Sequence, residues 1–131
     1  MKNHLSIVII CLLLSTHCVA QVGCKTTINY GTNSKTGAFA KVNGINMYYE
    51  VYGNSNNPSL LLIHGNGGDI YSWRCQIEHF KKNYRVIIVD SRAHGKTENG
   101  DKELTYELMA EDFYSLVNHL NLKSTSILGQ S

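Results

Sequence analysis

The chain has 131 residues, a length that suits a single domain. At 43% hydrophobic and 17% charged, with one proline, its composition excludes low-complexity and disordered classes. The formal charge of +2 is small, and Lys and Arg are scattered instead of forming a stripe, so composition makes no case for nucleic acid as a partner.

The opening stretch MKNHLSIVIICLLLSTHCVA has a short polar start, an apolar run from Leu5 to Leu14 and a small-residue exit. That pattern predicts a secretory signal peptide over residues 1–20 and a secreted or periplasmic protein. The apolar run is about half of the roughly 20 residues a spanning helix needs, so no stable membrane span is expected. Cys18 and Cys24 are the positions where a lipid could be attached. His17 precedes the first, and Gln21-Val22-Gly23 separates the second from the apolar run, which makes lipid anchoring the weaker alternative. After cleavage Cys24 and Cys75 remain, in a compartment that permits disulfides. Sequence cannot bring their Cα atoms within bonding distance, so a pair stays open against the alternative of one cysteine near the new N-terminus and one half-buried in a helix. The six histidines are dispersed and no Cys/His cluster has zinc-ligand spacing, so no metal is expected.

Residues 21–37 are rich in Thr, Asn, Ser and Gly without a sustained period, and predict a polar leader lying over the surface of a domain that spans residues 38–131. AFAKVNG and INMYYEVYG are β-prone runs that meet at Asn43-Gly44, a strong hairpin signal. The turn cluster NSNNP releases the chain into SLLLIH, a continuous apolar run of strand length. RVIIVD and TSILG repeat that pattern and predict parallel strands covered on both sides by helices. Between them, Trp73, Ile77 and Phe80 recur at helical spacing, with Asp69 or Ser72 as the cap. Farther on, Met109, Phe113, Leu116, Val117 and Leu120 form one apolar stripe behind a Thr105 cap. Strand, helix, strand, helix, strand is the order of an α/β fold with a mostly parallel sheet and an N-terminal antiparallel hairpin. In such sheets chemistry sits at the carboxyl ends of the strands.

Three motifs lie at those ends. HGNGG, His64 with Gly65, Asn66, Gly67 and Gly68, lets the backbone turn sharply and leaves N–H groups uncovered, as a developing oxyanion requires. It carries no Lys-Ser or Lys-Thr after the glycines and no G-x-G-x-x-G, so no phosphate-bearing cofactor is expected. In DSRAHGKT, Asp90 and Arg92 can tie down a loop by a charge-assisted hydrogen bond, a supporting role. His94 lacks a carboxylate placed to orient it as a base. The third motif is GQS: Gly129 two residues before Ser131 is the first half of a G-x-S-x-G nucleophile elbow, a turn that strains its serine and demands small neighbours.

LLLIHGNGG, VIIVDSRAHGKT, LTYELMAEDFYSLVNHLNL and SILGQS, in this order, resemble the N-terminal half of the α/β-hydrolase fold superfamily, from about Phe39 to Ser131. The one mild departure in the motifs is Ala93, where many relatives carry glycine. The resemblance implies that Ser131 is the nucleophile of an acyl-enzyme and that Asn66 gives a backbone N–H to the oxyanion hole. His64, Gly65, Gly67, Gly68, Gly129, Asp90 and Arg92 support the motifs. In this family the acid and the histidine base follow the nucleophile, so the expectation is a fragment of a serine hydrolase, truncated at the elbow and inactive by itself. The implied substrate is a small molecule with an ester or related carbonyl, and its identity is not encoded, nor is the oligomeric state. A non-catalytic binding protein on the same fold is the alternative. An epoxide-hydrolase or dehalogenase type would need an aspartate nucleophile at the elbow, against Ser131.

Overall fold

The computed structural model describes residues 24–131; the predicted signal peptide and Cys18 lie outside the described residues. Five strands form one sheet: β1 (Gly37–Val42), β2 (Ile45–Tyr52), β3 (Ser59–Ile63), β4 (Arg85–Val89) and β5 (Thr125–Gly129). Their spatial order is β1-β2-β4-β3-β5. β1 runs antiparallel to β2 and β2 to β4, whereas β3 runs parallel to both β4 and β5. The hairpin falls where the sequence predicts it. Asn43 and Gly44 both have positive φ, 42° and 83°, the two-residue turn whose twist matches paired strands.

Between β3 and β4 a 3-10 turn (Ile70–Trp73) runs into α1 (Arg74–Phe80). Of the two candidate caps, Asp69 is the one used: its carboxylate accepts from the Ser72 N–H while the Ser72 side chain accepts from the Asp69 N–H. α2 (Tyr106–His119) is capped by Thr105, whose hydroxyl accepts from the Leu108 N–H.

The pleat divides β4 between two apolar layers. Val86 and Ile88 pack with Leu60, Leu62, Ile70, Trp73 and Ile77 on the α1 side. Ile87 and Val89 pack with Leu61, Met47 and Leu116 on the α2 side, where Phe113, Val117 and Leu120 add half-buried cover. Each aliphatic side chain buried in this way stabilises the fold by about 1.5–3 kcal/mol relative to exposure.

Two expectations change. Among the described residues, β5 is not covered on both sides: Ile127 is 62% exposed and Leu128 37%, with β3 as its strand neighbour there and α2 packed over the layer of β1 and β4. The polar leader is also more than a surface segment. Cys24 and Cys75 are bonded, with Cα atoms 5.3 Å apart, and Tyr30 is buried in the α1-side layer against Tyr52, ring centroids 4.9 Å apart. Two carboxylates hold this strap. Glu50, fully buried, accepts from the N–H groups of Gly31 (3.0 Å) and Asn33 (2.9 Å) and from the hydroxyls of Tyr48 (2.8 Å) and Tyr52 (2.6 Å). Four donors replace the water that a buried carboxylate loses. Glu78 on α1 accepts from Thr26 Oγ1 (2.8 Å) and Tyr30 OH (2.6 Å) and pairs with Lys81. Burial would raise the Glu78 carboxyl, but the hydrogen bonds from Lys81, Tyr30 and Thr26 together outweigh it and hold the pKa at about 2.

Candidate active site

The carboxyl ends of β3, β4 and β5 converge because the three strands are parallel and in register. Ile63 stands beside Val89 on one side and Gly129 on the other, so the three motifs that follow them emerge together.

Behind β3, His64 is 5% exposed and joins two of these ends. Its Nε2 accepts the Ser91 N–H at 2.9 Å, which places the ring proton on Nδ1, 2.8 Å from the Gly65 carbonyl. His64 thus ties the turn after β3 to the end of β4. The next residues form a tight turn in which the Gly68 N–H donates to the Gly65 carbonyl at 3.0 Å. A side chain at Gly65 would stand 3.0 Å from the Gln130 carbonyl and 3.3 Å from the Ser131 carbonyl carbon. A side chain here would push the turn away from the end of β5 by a few tenths of an ångström. Gly67 has φ of 72°, and its N–H is taken by His94 Nε2 at 3.3 Å. Among the described residues, no partner takes the Asn66 N–H. A Cβ at Gly68 would sit 3.1 Å from the Gly65 carbonyl and 3.3 Å from Ser72 Oγ, so this glycine keeps the turn close to the helix start.

Asp90 and Arg92 both tie down loops, but not by bonding each other. Asp90 accepts from the N–H groups of Ile70 (2.9 Å) and Lys96 (2.9 Å) on the α1 side of the sheet. Arg92, the partner expected from sequence, turns to α2 instead. Burial pushes the Asp90 carboxyl up, and the two backbone donors draw it back in part. Arg92, 1% exposed, instead pairs with Asp112 of α2 through Nε (2.7 Å) and Nη2 (2.8 Å), and donates to the carbonyls of Asn99 (2.8 Å) and Asn43 (3.4 Å). Asp112 raises the guanidinium pKa by this fork-on-fork contact. Asp112 is the residue that motif reading missed. Its signal was an acid on the buried face of α2, between Leu108 and Leu116.

Ala93 is not a mild departure in its backbone. Its φ is 64°, in the left-handed region that side chains resist, at a cost of about 1–2 kcal/mol. His94 has both ring nitrogens engaged, Nε2 with the Gly67 N–H and Nδ1 with the Arg92 carbonyl at 2.8 Å. It links the loops after β3 and β4.

At the end of β5 the Gln130 N–H donates to the Ile63 carbonyl at 3.0 Å, which prolongs the ladder and carries Ser131 to the sheet's rim. Two expected features of an elbow are not seen here. Ser131 is not among the non-glycine residues with positive φ, and a Cβ at Gly129 would meet nothing within 4 Å. Ser131, Gln130, Gly65 and Asn66 form one wall of an open cleft of about 610 Å³, faced by Leu104 ahead of α2 and by Met109 and Phe113 within it. Among the described residues, no group of three or more His, Cys, Asp or Glu could hold a metal ion.

A family model described as "alpha/beta hydrolase fold" matches residues 58–131. Over 110 residues the chain is 33% identical to a Haemophilus influenzae protein named "Putative esterase/lipase", covering 82% of this chain and 38% of that protein. It is 31% identical over 91 residues to epoxide hydrolase 3 of Xenopus tropicalis, covering 68% of this chain and 25% of that one. Among solved structures, the enol-lactonase from Burkholderia xenovorans LB400 superposes with a TM-score of 0.69 at 29% identity, over 72% of this chain and 37% of that one. The chain therefore spans between a quarter and two fifths of the length of the relatives it matches.

Proposed function

The chain belongs to the α/β-hydrolase fold family, and on that premise we propose that it carries the nucleophile and the first oxyanion donor of a serine hydrolase acting on an ester or related carbonyl. The observation that carries the reading is the adjacency of Asn66 and Ser131. They follow the ends of neighbouring parallel strands and line one cleft, and Gly65, beside Asn66, faces the Gln130–Ser131 backbone. In the proposed reaction Ser131 Oγ bonds to the carbonyl carbon, its proton passes to a base, and the carbonyl oxygen gathers charge beside the Asn66 N–H. Collapse of that intermediate expels the leaving group and leaves an acyl-enzyme, which water then cleaves.

A hydroxyl needs a base to become an effective nucleophile. His64 and His94, the histidines nearest the cleft, have both ring nitrogens bonded within the loops. The 131-residue chain alone is therefore expected to show no esterase turnover. The relatives include proteins named as epoxide hydrolases, but a serine occupies position 131, which favours the acyl route. The apolar side of the cleft, from Leu104 to Phe113, suits a small molecule with an apolar part. A secreted or periplasmic location is part of this proposal, supported by the N-terminal pattern and by a disulfide that an oxidising compartment would maintain.

Fluorophosphonate labelling of the full-length gene product tests the nucleophile. Labelling that depends on Ser131 is expected, and unchanged labelling of Ser131→Ala would remove the assignment.

A further inference from the structure

We propose that the strap of residues 24–36, through the Cys24–Cys75 disulfide and Tyr30, is a positioning element for the glycine turn after β3, and that its grip is redox-dependent. The contacts of the strap with the helical segment fall in one short stretch. Cys24 is bonded to Cys75, the second residue of α1. Thr26 and Tyr30 donate to Glu78, one turn farther along the same helix. Tyr30 shares a buried layer with Ile70, Trp73 and Ile77, and Gly31 lies against Ile70 and Tyr71, where an added Cβ would be 3.8 Å from each.

That stretch is the direct continuation of the turn. Asp69 follows Gly68 and caps the 3-10 segment; its N–H donates to Ser72 Oγ at 3.2 Å, and the same Ser72 Oγ limits the room at Gly68. The Ile70 N–H reaches Asp90 at the end of β4. A strap that fixes Ile70 to Glu78 therefore fixes the far end of the Gly65–Gly68 turn, while His64 fixes the near end. The strap also does a job that α1 alone is too short to do. With seven residues, α1 leaves part of its side of the sheet to be covered by Tyr30 and Ile28.

The redox step balances with a dithiol reductant. Thiolate attack breaks the Cys24–Cys75 bond, both sulfurs leave as thiols after taking protons, and the reductant closes to its own disulfide. The strap then loses its covalent end and relies on Glu50, Glu78 and Tyr30.

Amide hydrogen exchange on the 131-residue chain tests this, and the relevance to catalysis, but not the exchange itself, rests on Asn66 as an oxyanion donor. The reporters are the bonded amides of Gly67, Gly68, Ile70 and Ser72, with the β3 and β4 ladder amides as controls. In dithiothreitol, and in the Cys24→Ser/Cys75→Ser variant without reductant, exchange at the four reporters should rise about tenfold while the controls stay within about twofold. Unchanged reporters overturn the proposal, and so does an equal rise in reporters and controls, which would make the disulfide a global staple only. Reduction in place covers the case in which the double variant fails to fold. The labelling experiment on Ser131 is independent, so either idea can fail without the other.

Discussion

β4 and β5 are each five residues long, apolar and parallel to β3, yet they live in different surroundings. β4 lies between β2 and β3, its valines and isoleucines are fully buried, and the loop that follows is anchored to the 3-10 turn, α2 and the hairpin. Among the described residues, β5 has one strand neighbour, exposed side chains, and a tip held by the Gln130–Ile63 bond and the closeness of Gly65. The difference teaches that an unbroken apolar run specifies what a strand can tolerate on its faces. What covers those faces is decided by residues far away in the chain.

The largest effect should come from the anchored side. Asp112→Ala removes the partner of Arg92 and leaves a buried guanidinium unpaired, and should cost about 3–5 kcal/mol in urea denaturation. A loss below about 1 kcal/mol would mean that the end of β4 is not locked by this pair. Next, Ile87→Ala should cost about 3 kcal/mol, whereas Ile127→Ala should stay within about 0.5 kcal/mol; equal losses would erase the contrast between the strands. Acid should act on the covered side through Glu78. Its folded pKa of about 2 lies below the ordinary 4.5, so its contribution is complete above pH 4.5 and fades as pH falls toward 2. Comparing acid titrations of the protein and Glu78→Gln checks this, since the variant should lose less stability over that interval. The smallest effect is a gain: Ala93→Gly should relieve the left-handed strain and stabilise by about 0.5–1 kcal/mol, read as a higher midpoint with unchanged slope.

Features that depend on neighbours in sequence were legible. Asn43-Gly44 specified the hairpin, Thr105 the start of α2, and the three glycine-bearing motifs the strand ends, while the first helical cap was narrowed to Asp69 or Ser72. Features that depend on distant partners were not. Asp90 and Arg92 look like a pair because they are two residues apart, but Arg92 finds Asp112 twenty residues on. Tyr30 reads as part of a polar stretch until the sheet provides a layer for it to enter, and Cys24 meets Cys75 across 51 residues. The site shows the same split. Asn66 and Ser131 are proposed on their motifs, while the contact of Gly65 with the Gln130–Ser131 backbone follows only from the register of β3 with β5.

The strand order also sets a timetable for synthesis. β2 and β3 are consecutive in the chain, but β4 lies between them, and both neighbours of β3 are made after it. As the chain leaves the ribosome, the hairpin of β1 and β2 can close at once, whereas Leu60, Leu61 and Leu62 must wait, unpaired, for β4 and then β5. β3 is thus the strand that waits longest for both of its neighbours, and the interval between its emergence and that of β4 is when a chaperone has most to shield.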